Sequence, residues 1–286
     1  MQKAVRRGDS DLAVRLAQHL YEEGWENWVK ARTGVIVFEE CWNLGGELDF
    51  KTGLTSVREM IDMAAKTIKN KDAAGLGSFA FGLSEGENFT LGENLSKKEI
   101  KIVAEAIRRP ENFWSWAASQ AADVEKQTFI AQSKKAYTRA SWPWDKAFVL
   151  AGAYLSITKG IPKTEQATTK IECPVWVGLD KHTPQGKFAL SRTAYKLKIE
   201  PETLYCASFY SEGALLNQVV SSGWWESDVN WRLKLAGLNL ESSMEIWQKA
   251  KPIFLEVASE EIEKLQQHVD SLRPPEKNAT KQLNLI

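Results

Sequence analysis

One short stretch of the chain places an acid, a base, an imidazole and a hydroxyl close together. It runs from Pro174 to Lys187 and contains Asp180, His182 and Thr183. A carboxylate next to an imidazole can orient the ring and support general acid–base catalysis. Asp180, His182 and Lys187 therefore form the candidate catalytic cluster of this sequence.

The same stretch also fits a purely structural role. Cys173 lies nine residues before His182 and Thr183 has no evident activator, so no nucleophile accompanies the cluster. The preferred interpretation is that Asp180 and Thr183 cap the start of a helix while His182 forms a local hydrogen bond. An enzyme that acts on a nucleic acid or nucleotide, with Asp180 and His182 as its acid–base pair, is the alternative.

Metal and nucleotide sites are not indicated elsewhere in the chain. The three histidines and the three cysteines are scattered and predict neither a disulfide framework nor a metal centre. The segment Gly178–Lys187 has the wrong spacing for a phosphate-binding loop, and Phe188 stands where that loop needs Ser or Thr. We therefore expect no metal and no cofactor.

Charged pairs are spread along the chain. The acidic pair Glu39–Glu40 is expected to form an ion pair with Arg32 or with a surface lysine. Each basic pair could contact phosphates if folding gathered the pairs on one face, and would otherwise be a solvated surface pair. The candidate DNA-binding residues are Arg6, Arg7, Arg108, Arg109, Lys134 and Lys135, with Lys97 and Lys98 as a further pair.

Composition limits the classes of protein to which the chain can belong. Its 286 residues are 43% hydrophobic, enough for a sizeable core. The chain has 37 Lys and Arg residues and 37 Asp and Glu residues, so its net charge is zero. This balance argues against a protein that binds nucleic acid through an overall positive charge. No apolar run reaches the ~18 residues of a membrane span, and Met1–Arg7 lacks the apolar core of a signal peptide. We expect a cytoplasmic protein.

Twelve tryptophans are the unusual feature of the composition, and many occur in pairs or near-pairs. Such large side chains mostly fill the junctions between helices. Stacking on nucleic-acid bases is the alternative for any that are exposed.

Apolar residues recur at helical spacing along most of the chain, which predicts an all-α, multi-helix globular bundle. Leu12, Leu16 and Leu20 mark the first helix, capped by Asp9–Asp11. The glycine-rich residues 70–96 are expected to be mostly loop, and Pro252 could divide the last helix. Further helices are predicted over about 26–44, 56–68, 96–109, 111–138, 144–159, 188–197, 201–219, 224–235 and 240–272.

Breaks in this pattern suggest three parts. We expect an N-terminal helical subdomain over residues 1–162 and a C-terminal helical subdomain over residues 163–272. Pro274–Pro275 then opens a polar, flexible tail over residues 273–286.

The last residues of this tail are Gln-Leu-Asn-Leu-Ile. They resemble the peptide that bacterial replication proteins dock into the sliding clamp (beta clamp), in which the glutamine hydrogen-bonds at the pocket rim and the leucines fill apolar subsites. That family usually ends in Phe or Leu, so the final isoleucine is a departure that could weaken affinity. The resemblance assigns clamp binding to Gln282, Leu283, Leu285 and Ile286.

A second resemblance covers more of the chain. Met1–Leu20, followed by Arg32–Glu40, is similar to the start of the C-terminal helical collar of the clamp-loader-like MgsA/RarA ATPase group. Residues 180–186 and 209–214 are similar to segments near the end of such collars. Glu40 replaces an aspartate of that pattern, its arginine pair is reduced to one arginine, and the ATPase domain is absent.

Together the resemblances imply a DNA replication or repair accessory protein and favour a binding protein over an enzyme. Its helical body would engage DNA, a clamp loader or another replisome partner, and the gene could belong to a phage. An oligomeric scaffold built from collar-like helices is a third interpretation.

Overall fold

The computed structural model describes residues 1–50, 53–89 and 95–274. Within these residues the chain forms fourteen α-helices and no β-strand, which confirms the all-α prediction. None of the described helices is both long and apolar enough to cross a membrane. In chain order they are α1 (Gln2–Arg7), α2 (Ser10–Leu20), α3 (Glu26–Glu40), α4 (Gly53–Lys66), α5 (Asp72–Ser84), α6 (Lys97–Arg108), α7 (Pro110–Gln120), α8 (Val124–Arg139), α9 (Pro143–Thr158), α10 (Pro184–Leu197), α11 (Pro201–Ser208), α12 (Gly223–Leu235), α13 (Leu240–Val257) and α14 (Ser259–Ser271).

Helix α5 lies at the centre of the larger apolar core and packs against α6, α9 and α12. The expectation that residues 70–96 are mostly loop is therefore wrong for the part that forms α5. Its glycines serve close packing: a Cβ on Gly75 would lie 2.4 Å from the backbone carbon of Trp224, and one on Gly77 would lie 2.8 Å from the carbonyl oxygen of Ala147. A glycine lowers the stability of a helix by about 1 kcal/mol relative to alanine. The close packing against α9 and α12 offsets that loss.

A smaller core lies among α10, α11 and α13, around Leu190, Leu204, Trp247 and Phe254. All of its buried members fall between residues 179 and 258. Helix α12 lies within that stretch of sequence, yet its two buried tryptophans belong to the larger core. The division of the chain at residue 162 stays a prediction.

A buried polar segment, residues 67–71 between α4 and α5, connects distant parts of the chain. Backbone hydrogen bonds join it to Glu165 and to residues 218–220. Lys69 is fully buried there, and its ammonium group caps the end of α4, where a cation is favourable. Its Nζ donates to the carbonyl oxygens of Ala64, Ala65 and Thr67 at 2.6–3.0 Å.

Two of the expected long helices are each divided into two. The helix expected over residues 111–138 is divided into α7 and α8, because Asp123 caps a new helix by accepting a hydrogen bond from Lys126 N at 2.8 Å. The last long helix is also divided, but α13 continues through Pro252 and the break falls at Ala258.

Candidate functional site

The turn around Asp180 is held by a compact set of hydrogen bonds. Asp180 is 6% exposed and accepts from His182 twice, from the backbone N at 2.8 Å and from ring Nδ1 at 3.0 Å. Thr183 Oγ1 donates to the Asp180 carbonyl oxygen and accepts from Gly186 N at 3.1 Å, which caps α10. The predicted cap by Thr183 and the local hydrogen bonds of His182 are observed, but the Asp180 side chain bonds to His182 and Lys3 and does not cap α10.

Gly186 is required for this turn to close. A Cβ at Gly186 would come within 2.1 Å of the Asp180 carbonyl oxygen and within 2.3 Å of its backbone nitrogen. No side chain fits at such distances, so the first turn of α10 rests directly on the backbone of Asp180.

The cation that completes the cluster is Lys3, not Lys187. Lys3 Nζ lies 2.5 Å from Asp180 Oδ2 and also donates to the carbonyl oxygen of Val177. Lys187 has an exposed side chain on α10, and its ammonium group is not among the described partners of Asp180. The turn directs Asp180 inward, towards Lys3 of α1, whereas the side chain of Lys187 faces solvent.

The electrostatics of the turn keep Asp180 ionised. Burial opposes its charge, but the hydrogen bond from His182 and the charge of Lys3 outweigh burial and hold the pKa of this carboxyl well below its usual range. The carboxylate can therefore orient the imidazole, whose side chain is 57% exposed. The turn thus contains an acid–imidazole pair that could accept a proton from a bound molecule.

No activated nucleophile stands beside this pair in the described part of the chain. The Thr183 hydroxyl is occupied by the cap, and burial raises the pKa values of Cys173 and Cys206. Burial also raises the pKa of Cys41 to about 12, so all three thiols are protonated at neutral pH. Among the described residues, no cluster of three or more His, Cys, Asp and Glu side chains could hold a metal ion.

Arg6 and Arg7, which were predicted to form a surface pair available to DNA, are buried instead. They are 6% and 2% exposed, respectively. Arg6 Nε donates to Glu40 Oε1 at 2.6 Å and Arg6 also pairs with Glu39. A buried guanidinium needs carboxylate partners. Helix α1 directs both arginines into the protein, where carboxylates meet them.

The acidic pair on α3 has one of its expected partners. Glu39 lies 3.8 Å from Arg32, but Glu40 pairs with a buried lysine rather than a surface one. Lys71 Nζ lies 2.9 Å from Glu40 Oε2, and both side chains are fully buried. Burial opposes the charge of Glu40, yet the two cations outweigh it and lower the pKa of this carboxyl to about 2.

Arg7 connects α1 to the smaller core. It donates to Glu212 Oε1 at 2.6 Å and to the Glu212 carbonyl oxygen at 2.9 Å. The other carboxylate oxygen of Glu212 accepts from Trp247 Nε1 and from Lys251 Nζ, both at 3.1 Å. Glu212 thereby joins a cation of the N-terminal helix to an aromatic residue at the centre of the smaller core.

The other predicted DNA-binding pairs lie on the surface. Arg108 and Arg109 both pair with Glu105 on α6, and Lys134 lies 3.7 Å from Glu111 on α7. Lys135 has an exposed side chain on α8. The structure therefore interleaves these cations with carboxylates near the junction of α6, α7 and α8.

Three tryptophans are candidates for contacts with a partner. Trp25, Trp28 and Trp142 are 59%, 50% and 65% exposed. Others, including Trp42, Trp224 and Trp247, fill the cores as expected. Base stacking thus stays a prediction for the exposed three.

Sequence reasoning also missed buried charged residues, among them Lys69, Lys71 and Asp228. Lys71 lies 4.4 Å above the ring of Trp225 as well as against Glu40. Asp228 is buried on α12 and accepts from Ser78 Oγ at 2.7 Å. In the sequence these residues are marked only by their position beside strongly apolar segments. That position does not show whether a charged side chain is buried or exposed.

The residues assigned to clamp binding, Gln282, Leu283, Leu285 and Ile286, lie outside the described residues, as does most of the predicted tail. Comparison of the chain with protein-family models, with curated proteins and with solved structures finds no match. The functional argument therefore rests on the residues of this chain.

Proposed function

We propose that this protein is a DNA replication or repair accessory factor that binds the bacterial sliding clamp. The observation that carries the proposal is the peptide Gln282–Ile286, with glutamine and two leucines at the spacing of clamp-binding peptides. The glutamine would donate at the pocket rim, while Leu283, Leu285 and Ile286 would bury their apolar side chains in the clamp.

The helical body would engage DNA or a second replisome partner, such as a clamp loader. Its all-α fold agrees with the collar-like architecture that the resemblance implies. Glu212 and the basic residues of α1 join the N-terminal helix to the smaller core. Such a body could hold a partner in a fixed orientation while the peptide holds the clamp.

The geometry gives the enzymatic alternative less support. An enzyme centred on Asp180 and His182 would need a nucleophile or a bound activator, and the described thiols and hydroxyl near the pair are protonated or occupied. The oligomeric scaffold stays a prediction, and light scattering on the purified protein would test it.

The test of clamp binding is a calorimetric titration of a purified bacterial sliding clamp with single variants of the peptide. Gln282→Ala and Leu285→Ala should each weaken binding at least tenfold, because each removes a side chain that the pocket recognises. Asn284→Ala is the matched control, since its position is variable in such peptides, and it should stay within twofold. Unchanged affinity after deletion of residues 282–286 would overturn the proposal.

A further inference from the structure

A groove of about 510 Å³ lies between α7 and α8. Its apolar wall combines buried side chains with the exposed methyl groups of two alanines. A groove of this size is within the range of sites that bind ligands or anchor side chains. The apolar lining residues are Trp114, Ala118, Ala121, Ile130 and Ala131.

Cations line one end of the same groove. Lys134, Lys135 and Arg139 belong to its lining and have exposed side chains. With Ile130 and Ala131 they follow one face of α8 over about 14 Å at 1.5 Å per residue. No carboxylate lines the groove in the described part of the chain. Glu111, whose side chain is exposed, lies 3.7 Å from Lys134. The groove is therefore apolar at one end and positively charged at the other.

We propose that the α7–α8 groove binds an acidic amphipathic helix of a partner protein. Aliphatic side chains spaced by three or four residues would enter the apolar end, as in other helix-in-groove complexes. Carboxylates farther along that helix would meet Lys134, Lys135 and Arg139, which supply the complementary charge. The site is separate from the tail peptide, so loss of clamp binding has no bearing on it.

The observations favour a protein over a nucleic acid. Single-stranded nucleic acid needs exposed aromatic faces on which bases can stack, and Trp114, the aromatic residue lining the groove, is buried. The apolar end of the groove suits the aliphatic side chains of a helix and offers nothing to a phosphate backbone.

The experiment measures fluorescence anisotropy of labelled synthetic probes with the full chain. The first probe is a helical peptide of about four turns with leucine on one face and glutamate on the other. The second carries lysine in place of glutamate, and the third is a single-stranded oligothymidine. The first should bind and the other two should not.

Variants then assign the binding to the groove. K134E/K135E/R139E should weaken binding of the acidic peptide at least tenfold. K97E/K98E/K101E makes the same change of charge on the exposed face of α6 and should stay within twofold. Ala131→Trp fills the apolar end, keeps every cation and, because Ala131 is exposed, should preserve the circular dichroism spectrum while weakening binding at least tenfold.

Three results would overturn the proposal. The first is failure of the acidic peptide to bind the unmodified chain. The second is either equal weakening of peptide binding by both triple variants or unchanged peptide binding by the Ala131→Trp variant. In either case the peptide would bind through net charge alone. The third is tight binding of the oligothymidine that K134E/K135E/R139E abolishes, which would make the groove a nucleic-acid site.

Discussion

Two groups of basic residues in this chain have the same chemistry and opposite surroundings. The first belongs to α1 and consists of Lys3, Arg6 and Arg7. The second belongs to α8 and consists of Lys134, Lys135 and Arg139. Each member of the first group is mostly buried and lies against a carboxylate from a distant part of the chain. Members of the second group are exposed and line a groove that contains no carboxylate among its described residues.

The difference shows that the partners of a cation, rather than its position in a basic pair, determine its role. Removing a charge from water is costly unless an opposite charge and hydrogen bonds replace the lost hydration. Arg6 and Glu40 are 34 residues apart in sequence, and Arg7 and Glu212 are 205 apart. The interior cations therefore specify how the chain packs, whereas the surface cations stay available to a partner.

The largest expected effect comes from breaking the interior group at Glu40. Glu40→Ala would leave Arg6 and Lys71 buried with one carboxylate fewer between them, and should lower the free energy of unfolding by about 3–5 kcal/mol. Urea denaturation followed by circular dichroism measures the change. Glu105→Ala removes an exposed partner of Arg109 and should change stability by no more than about 0.5 kcal/mol. Equal losses in the two variants would contradict the distinction between interior and surface pairs.

Asp228 extends the comparison of interior and surface charges. It is a buried acid whose ion pair with Arg232, at 3.6 Å, is longer than those of Glu40. Burial raises the pKa of its carboxyl to about 6 from a usual value of 3.8, although Ser78 and Arg232 oppose the shift. The folded state thus binds more protons than the unfolded state between these values, so this group stabilises the fold below about pH 4. That contribution disappears as the pH rises through 6.

The test compares Asp228→Asn with the unmodified chain. Asparagine cannot titrate, so the stability of the unmodified chain relative to the variant should fall by about 2 kcal/mol between pH 4 and pH 6.5. Urea denaturation at several pH values within this window measures the difference. A difference that does not change with pH, or that rises, would show that Asp228 is ionised throughout.

A smaller loss of stability is expected from a substitution that crowds the interior than from one that removes a buried charge. Gly75→Ala would place a Cβ 2.4 Å from the backbone of Trp224 and should destabilise the fold by about 1–3 kcal/mol through overpacking. The matched control is Gly178→Ala, since no atom lies within 4 Å of a Cβ at that position. Thermal unfolding would measure both, and a stabilised Gly75→Ala variant would mean that α5 and α12 can separate without cost.

Helical periodicity was enough to predict the fold class, because the apolar faces of α2, α4 and α6 follow it closely. Helix α5 could not be predicted in this way. It is apolar on all sides and contains three glycines, a composition that also suits a loop. Only the partner backbones of α9 and α12 show that these glycines allow close approach.

The candidate site was predictable where its contacts are local and not where they are distant. The hydrogen bonds of Asp180 with His182 and of Thr183 with Gly186 join residues two or three positions apart, so their spacing indicated the cap. Lys3 is the third member of the cluster, and no pattern near Asp180 points to the start of the chain. Arg6 and Arg7 were misassigned for the same reason, because their carboxylate partners lie far away in sequence.

We propose that function resides in the C-terminal peptide rather than in the Asp180 turn. The most direct test is to measure the affinity of a bacterial sliding clamp for His182→Ala and for the chain lacking residues 282–286, side by side. We predict that His182→Ala binds the clamp with unchanged affinity and that the shortened chain does not bind. Clamp binding by the shortened chain would contradict this proposal. So would loss of clamp binding in a His182→Ala variant that is still folded.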